Sequence, residues 1–349
     1  MEKIDIKTLT RSQLAGWLAE RGIATFRATQ IFHWVFNRQT DDFSVMTNLK
    51  KDIRALLADH FTVDRLNRRA VETAEDGTRK FLFELADGQL IETVLIQERT
   101  HATLCISSQV GCAQGCRFCL TARAGFTRNL TAGEILAQVR DVSATLATPQ
   151  QLTNVVLMGM GEPLANYDSV MAALDTLTCP EAGLGISAKK VTLSTVGLAP
   201  KLAGMGRQTR INIAISLNAP DNELRSWLMP INRRYPLEAL LAACRVYPLE
   251  KRRLITFEYI LIKDLNDSPA QAKKIGALLR PVKAKINLIP FNPHGGCDFQ
   301  RPSDETVREF QKVLLDMRYT TSIRLSKGAD ISAACGQLRA KALLKSRTA

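Results

Sequence analysis

Apolar positions recur with two different periods along the chain, and the change of period divides it. In the first sixty residues the spacing is helical. Leu14, Trp17 and Leu18 share one face; Phe26, Ile31, Phe32, Val35 and Phe36 mark a second amphipathic stretch, and Leu49, Ile53, Leu56 and Leu57 a third. Thr10, three residues before Gln13, is a capping-box signature, and Gly22 is a helix stop. A small helical domain is expected over 1–65. Residues 79–97 then alternate. RKFLFEL and LIETVLIQ flank Asp87-Gly88, a hairpin signal, so 66–100 reads as a β-hairpin extension. Along its second strand Leu90, Glu92, Val94 and Ile96 share a face. A carboxylate buried among apolar neighbours has a raised pKa, because desolvation disfavours its charge. Glu92 is therefore a candidate acid–base group; the alternative is an exposed or paired edge residue.

From residue 101 strand and helix patterns alternate. The strand candidates are ATLCISS, NVVLMG, KKVTLSTV, RINIAISL, RLITFEYIL and AKINLIPF, and helical patterns follow near 131–146, 166–178, 197–207, 236–247, 268–279 and 303–317. Such a succession implies a parallel α/β sheet with right-handed crossovers. Six units are too few for a closed eight-stranded barrel, which leaves a partial barrel or a doubly wound sheet over 101–327. In both, ligands gather at the C-terminal ends of the strands. Polar motifs fall on that edge. A cysteine loop follows the first strand, and Gly159-Met160-Gly161-Glu162-Pro163 the second; Ser194 ends the third, Ser216 and Asn218 the fourth, and Asn292 follows the sixth.

Composition adds a partner and a compartment. The 349 residues carry a net charge of +13, which suits a polyanion such as nucleic acid, bound by a folded surface since the basic residues are dispersed. The helical domain is the candidate for that contact, packing alone being its other reading. No apolar run is long enough to span a membrane, and MEKIDIKTLTR is too charged for a signal peptide, so a cytoplasmic protein is expected. Eight cysteines in such a chain stay reduced, and clustered ones read as metal or redox chemistry. The four histidines show no metal-ligand spacing.

The cluster is GCAQGCRFCLT, in which Cys112, Cys116 and Cys119 are spaced C-x₃-C-x₂-C with no fourth cysteine nearby. Structural zinc usually takes paired C-x₂₋₄-C units, so a zinc site would have to borrow a distant ligand. A four-iron cluster held by three thiolates instead leaves one iron open to a substrate. This spacing resembles the signature of the radical S-adenosylmethionine (SAM) enzymes, and GMGEP resembles their segment contacting the SAM amino group.

The likeness extends over nearly the whole chain. FRATQIFHWVF, MTNLKK, IETVLI, SSQVGCAQGCRFCLTARAGFTRNLTAGEI, VLMGMGEPLANYD, LSTVGLAPK, AISLNAP, NLIPFNPH and ADISAACGQL resemble, in order, the RlmN family of RNA adenosine C2 methyltransferases. The resemblance implies a partial (β/α)6 radical SAM barrel with the helical domain and hairpin as accessories, and a C-terminal segment over 328–349 ending in a basic tail. It implies a [4Fe-4S] cluster on Cys112, Cys116 and Cys119, with SAM at the open iron and Gly161, Glu162, Ser194, Ser216, Leu217, Asn218 and Asn292 lining the SAM site. Asn218 stands where many members have His, which leaves hydrogen bonding but no titration near neutral pH. The substrates implied are 23S rRNA, at the peptidyl-transferase centre, and certain tRNAs, at the adenosine 3′ of the anticodon. A one-electron reductant of flavodoxin or ferredoxin type is implied as a partner. Cys335 corresponds to the cysteine that carries the methyl group, Cys105 to the thiol that releases the product by forming a disulfide with it, and Glu92 to a proton acceptor, with Cys105 a rival for that proton. Cys179, Cys244 and Cys297 match no site. Two other readings share parts of the pattern: a C8 methyltransferase of the related Cfr group, and a zinc-stabilised RNA-binding protein without catalysis.

Overall fold

The alternating segments lie side by side in one sheet. The computed structural model describes residues 3–98, 100–148, 152–294, 297–325, 327–328, 331 and 338–339; Cys335, most of the C-terminal segment and the end of the basic tail lie outside them. Among the described residues the main sheet has ten strands: β1 (Asn67–Thr73), β2 (Arg79–Glu84), β3 (Leu90–Gln97), β4 (Ala102–Cys105), β5 (Leu152–Leu157), β6 (Val191–Thr195), β7 (Asn212–Ser216), β8 (Ile255–Leu261), β9 (Ala284–Pro290) and β10 (Thr321–Ile323). Their spatial order is their chain order. β1 to β4 pair antiparallel, and β4 to β10 pair parallel. The sheet is an open, partial barrel of the (β/α)6 kind with a seventh parallel strand. The hairpin around Asp87-Gly88 is present, and it joins the barrel directly because β3 pairs with β4.

Helices complete the units. In the N-terminal domain they are α1 (Arg11–Ala19), α2 (Arg27–Phe32) and α3 (Lys51–His60). Behind the barrel come α4 (Ala132–Ser143), α5 (Tyr167–Thr178), α6 (Ala199–Gln208), α8 (Leu237–Arg245), α9 (Pro269–Leu279) and α10 (Asp304–Asp316), while α7 (Asn222–Leu228) sits against the loops at the C-terminal ends of the strands. Local chemistry sets several starts. Thr10 with Gln13, Thr131 with Glu134, and Ser268 with Gln271 each form a reciprocal capping box. The N-terminal domain is fastened to α4 by a buried guanidinium. Arg140 donates from Nε to the Val35 carbonyl at 3.0 Å and from Nη2 to that of Thr40 at 2.8 Å, and it ion-pairs with Asp41.

The register divides the sheet into two unlike faces, since directly paired residues share a face. One face carries Leu104, Val155, Leu193, Ile215, Phe257 and Leu288, all within 1% of complete burial against the helices. The other carries Lys80, Glu92, Cys105, Ser194, Ser216 and Glu258. This second face is the inside of the partial barrel. No helix among the described residues is long and apolar enough to cross a membrane.

Candidate active site

The cysteine loop starts from a turn that only glycine permits. Gly111 has φ +79°, and a Cβ there would lie 1.9 Å from the Gly125 carbonyl oxygen. Cys112 then donates its N–H to that same carbonyl at 2.9 Å. Further along, the Arg117 N–H donates to the Leu228 carbonyl at 2.9 Å, tying the loop to the end of α7. Cys112, Cys116 and Cys119 all line one cavity of about 360 Å³ at the C-terminal ends of the strands. That volume lies within the roughly 300–1,000 Å³ usual for small-molecule sites.

Burial pushes the Cys112 thiol up to about 12 and raises that of Cys116 as well. Thiolates in such a place need a compensating cation. A cluster of iron ions would supply it, and three thiols lining one cavity fit that group. Among the described residues no three His, Cys, Asp or Glu side chains are drawn together closely enough to hold a single metal ion.

The opposite walls come from the next strands. Gly161, Glu162, Ser194, Ser216 and Asn292 all line the same cavity. Gly161 has φ +103°, and a Cβ on it would lie 2.6 Å from that of Gln109. The Glu162 side chain is fully enclosed. Its Oε1 accepts from Thr195 Oγ1 at 2.7 Å and the Leu164 N–H at 2.9 Å, and its Oε2 from the Val196 N–H at 2.8 Å. Burial outweighs these donors and raises its carboxyl to about 7. The carboxyl thus joins the loop after β5 to the loop after β6. A ligand ammonium beside it would meet an acceptor that gains charge on binding.

Several cavity residues were not singled out from the sequence. Glu258, on β8, accepts from Ser194 Oγ at 3.0 Å and faces Arg324 Nη1 at 3.5 Å, while burial raises its pKa. Met158 and His294 also line the wall. Arg225, on α7, is completely buried and braces the loop tops. It donates to the carbonyls of Leu217 (3.1 Å), Val196 (2.8 Å) and Ser216 (3.0 Å) and to Asn232 Oδ1 (2.9 Å). Leu217 and Asn218, expected on the SAM site, are not on the cavity wall. Asn218 takes a left-handed turn at φ +60°, with its Oδ1 accepting from the Ile260 N–H at 2.8 Å and its Nδ2 facing Met229 Sδ at 3.2 Å. Its side chain is a brace between loops.

Beyond the cavity, on the same inner face, are Cys105 and Glu92. Cys105 ends β4, paired with Val94 on one side and Val156 on the other. Glu92 is buried, which the exposed-edge reading did not expect, and it is paired: its Oε2 lies 2.7 Å from Lys80 Nζ, itself fully buried. Its Oε1 accepts from the Arg339 N–H at 2.6 Å. Arg339 is four residues beyond Cys335, which itself lies outside the described residues.

A partial α/β barrel with three thiols on a cavity at its C-terminal edge is the framework of a radical SAM enzyme. Comparison with known proteins agrees: residues 106–272 match the radical SAM superfamily, and residues 4–63 match the ribosomal RNA large subunit methyltransferase N-terminal domain. A crystal structure of a radical SAM methyltransferase from Sphaerobacter thermophilus superposes with a TM-score of 0.87 at 43% identity, over 96% of this chain and 98% of that one. The dual-specificity RNA methyltransferase RlmN of Desulfosudis oleivorans is 55% identical over 96% of this chain and 91% of its own length, and that of Geotalea uraniireducens 49% over 98% of each. The chain belongs to the RlmN family, and it is a radical SAM RNA methyltransferase. A non-catalytic zinc protein is thereby set aside. Membership implies a [4Fe-4S] cluster and SAM as cofactors.

Proposed function

We propose that this enzyme methylates C2 of adenosine in 23S rRNA and in certain tRNAs, with Cys335 carrying the methyl group. The observation that carries the reading is the shared inner face: Glu92 and Cys105 lie on it beside the cysteine-lined cavity, and the backbone four residues past Cys335 is bonded to Glu92. Cys112, Cys116 and Cys119 would hold the cluster. Glu162, Ser194, Ser216 and Asn292 would bind and orient SAM, with the backbone at Gly161 close against it. When bound, cluster and SAM together supply the radical chemistry that activates the methyl group, because C2 of adenine is not a nucleophile.

The remaining work falls to side chains of this chain. Cys335 accepts a methyl group by displacement, which requires its thiolate. Glu92 accepts the proton that leaves C2, held in place by Lys80 Nζ at 2.7 Å. Once the methyl carbon on Cys335 is joined to C2, the Cys105 thiolate attacks the Cys335 sulfur; the S–S bond forms as the S–C bond to that carbon breaks, the carbon takes up a proton and methylated RNA leaves, and cytoplasmic thiols reduce the disulfide. The target base leaves its stack to reach this face, and the helical domain with the net positive charge supplies contacts to the RNA backbone.

Nucleoside mass spectrometry of 23S rRNA and tRNA treated with the reconstituted enzyme tests this. The expected product is 2-methyladenosine in both. Appearance of 8-methyladenosine alone would reject the C2 assignment in favour of the C8 reaction. Peptide mass spectrometry of the native protein should find a methyl group on Cys335.

A further inference from the structure

The loop that carries the three cysteines has an outer side as well as an inner one. Outside it lies a second depression of about 450 Å³, whose lining includes Arg117, Arg123, Trp227 and Phe299. Cys116 and Ala122 line both this depression and the inner cavity. One layer of protein therefore separates the outer surface from the inner site at this point.

That layer is aromatic as well as thin. Trp227 is 39% exposed, and the Arg117 guanidinium lies over its ring at 4.5 Å. Trp227 meets Phe299 edge to face at 5.9 Å, and Phe299 meets Phe291 at 5.9 Å. Phe291 lines the inner cavity and packs in one cluster with Cys116, Leu228 and Met229. A chain of rings thus runs from solvent to the cysteine site. Arg117 and Arg123 are exposed on either side of Cys119 in the sequence, and Gly115 of the same loop sits 3.6 Å (from an ideal Cβ) from Pro230, which precedes the exposed pair Arg233 and Arg234.

We propose that this surface, centred on Trp227, Arg117 and Arg123, is where an acidic one-electron carrier protein docks. The inference rests on the proposed cluster at Cys112, Cys116 and Cys119. Electron transfer weakens steeply with distance, so a carrier must approach where the cover is thinnest, and Cys116 lines both depressions here. Encounters between redox proteins are small and transient, and electrostatic complementarity sets their rate. In the step itself the carrier gives up one electron and is oxidised, the cluster site is reduced by one, and no bond is made or broken.

The test uses the full-length, cluster-loaded protein and reads cluster reduction by stopped-flow absorbance. Arg123→Glu and Arg117→Glu/Arg123→Glu are compared with wild type, with iron and sulfide content checked for each. The single variant keeps the test open if Arg117, between two cluster cysteines, is needed for assembly. Fully reduced flavodoxin is the protein probe and reduced methyl viologen, a small cation, the control. The expected result is a fall of at least tenfold in the second-order rate with flavodoxin at low salt, shrinking as salt screens the interaction. Cluster reduction by viologen is not slowed, since a small cation gains nothing from the lost arginines, and the affinity for tRNA stays at the wild-type value. An unchanged flavodoxin rate overturns the proposal, and so does a loss of tRNA affinity with that rate intact, which assigns the surface to RNA. A wild-type protein that takes up no cluster under reconstitution refutes the underlying reading, a result distinct from either.

Discussion

Replacing Glu162 by Gln isolates the cost of enclosing a carboxylate in this site. The wild-type carboxyl titrates near about 7 in the fold, against about 4.3 in an unfolded chain. Its folded pKa is raised, so its contribution to stability is present at low pH and is lost as pH rises through about 7. At about 1.36 kcal/mol per pH unit, the loss between pH 5 and pH 8 comes to about 3 kcal/mol. Gln does not ionise and lacks this slope. It has one oxygen, however, and three donors converge on the site, from Thr195, Leu164 and Val196. At least one of them then faces an amide NH₂, at a cost of about 1–3 kcal/mol. The variant should therefore be less stable than wild type at pH 5 by about 1–3 kcal/mol and equal to it or more stable at pH 8. Urea unfolding followed by circular dichroism at each pH, on samples prepared identically, measures the difference. Other titrating groups cancel in the comparison. A difference that stays constant from pH 5 to pH 8 would show that the three hydrogen bonds hold the carboxylate ionised throughout, and would refute the dominance of desolvation.

Three further substitutions probe other parts of the same framework. Lys80→Met leaves the buried Glu92 without its cation and should cost roughly 3–5 kcal/mol in urea unfolding, part of it recovered in Lys80→Met/Glu92→Leu; a double variant that loses the sum of both single effects would reject the coupling. Gly161→Ala combines φ +103° with a methyl group placed 2.6 Å from Gln109 Cβ, so at least about 2 kcal/mol of stability should be lost, together with SAM binding measured by calorimetry. Cys105→Ala should accumulate a covalent protein–RNA adduct, seen as a shifted band on a denaturing gel; normal turnover would reduce Cys105 to a packing residue.

Much of this was legible because local chemistry and tertiary context agree. Three of the helices after residue 130 start where Thr131, Ser268 and Ser303 supply caps, and the parallel strands are runs of β-branched and apolar residues enclosed on at least one face. β1 escaped notice because its sequence, NRRAVET, lies mostly exposed at the sheet edge and so lacks the apolar alternation of a half-buried strand. Glu258 was hidden for the opposite reason. Within RLITFEYIL it reads as one polar residue in an apolar run, and only pairing with Ser216 reveals that it points into the barrel. Arg225 gave no signal, since a guanidinium held by carbonyls of three distant loop residues has no local spacing. The backbone at Asn218 was not legible from its place at a strand end: a left-handed turn directs its side chain toward Ile260 and Met229.

The inner face gives the described part of the C-terminal segment a point of contact. A closed barrel fills its interior with stacked side chains. This sheet stays open and carries Lys80, Glu92, Ser194, Ser216 and Glu258 inside, so folding alone leaves polar groups there without the apolar packing that the helical face enjoys. Two described positions after β10 reach back to the antiparallel strands. The Gly328 N–H donates to Asp76 Oδ2 at 3.0 Å in the turn between β1 and β2, and the Arg339 N–H donates to Glu92 at 2.6 Å. Both contacts bring the end of the chain back to the antiparallel strands at the far side of the sheet from β10. These two described positions bracket Cys335 in the sequence. One of them meets the carboxylate proposed to accept the C2 proton.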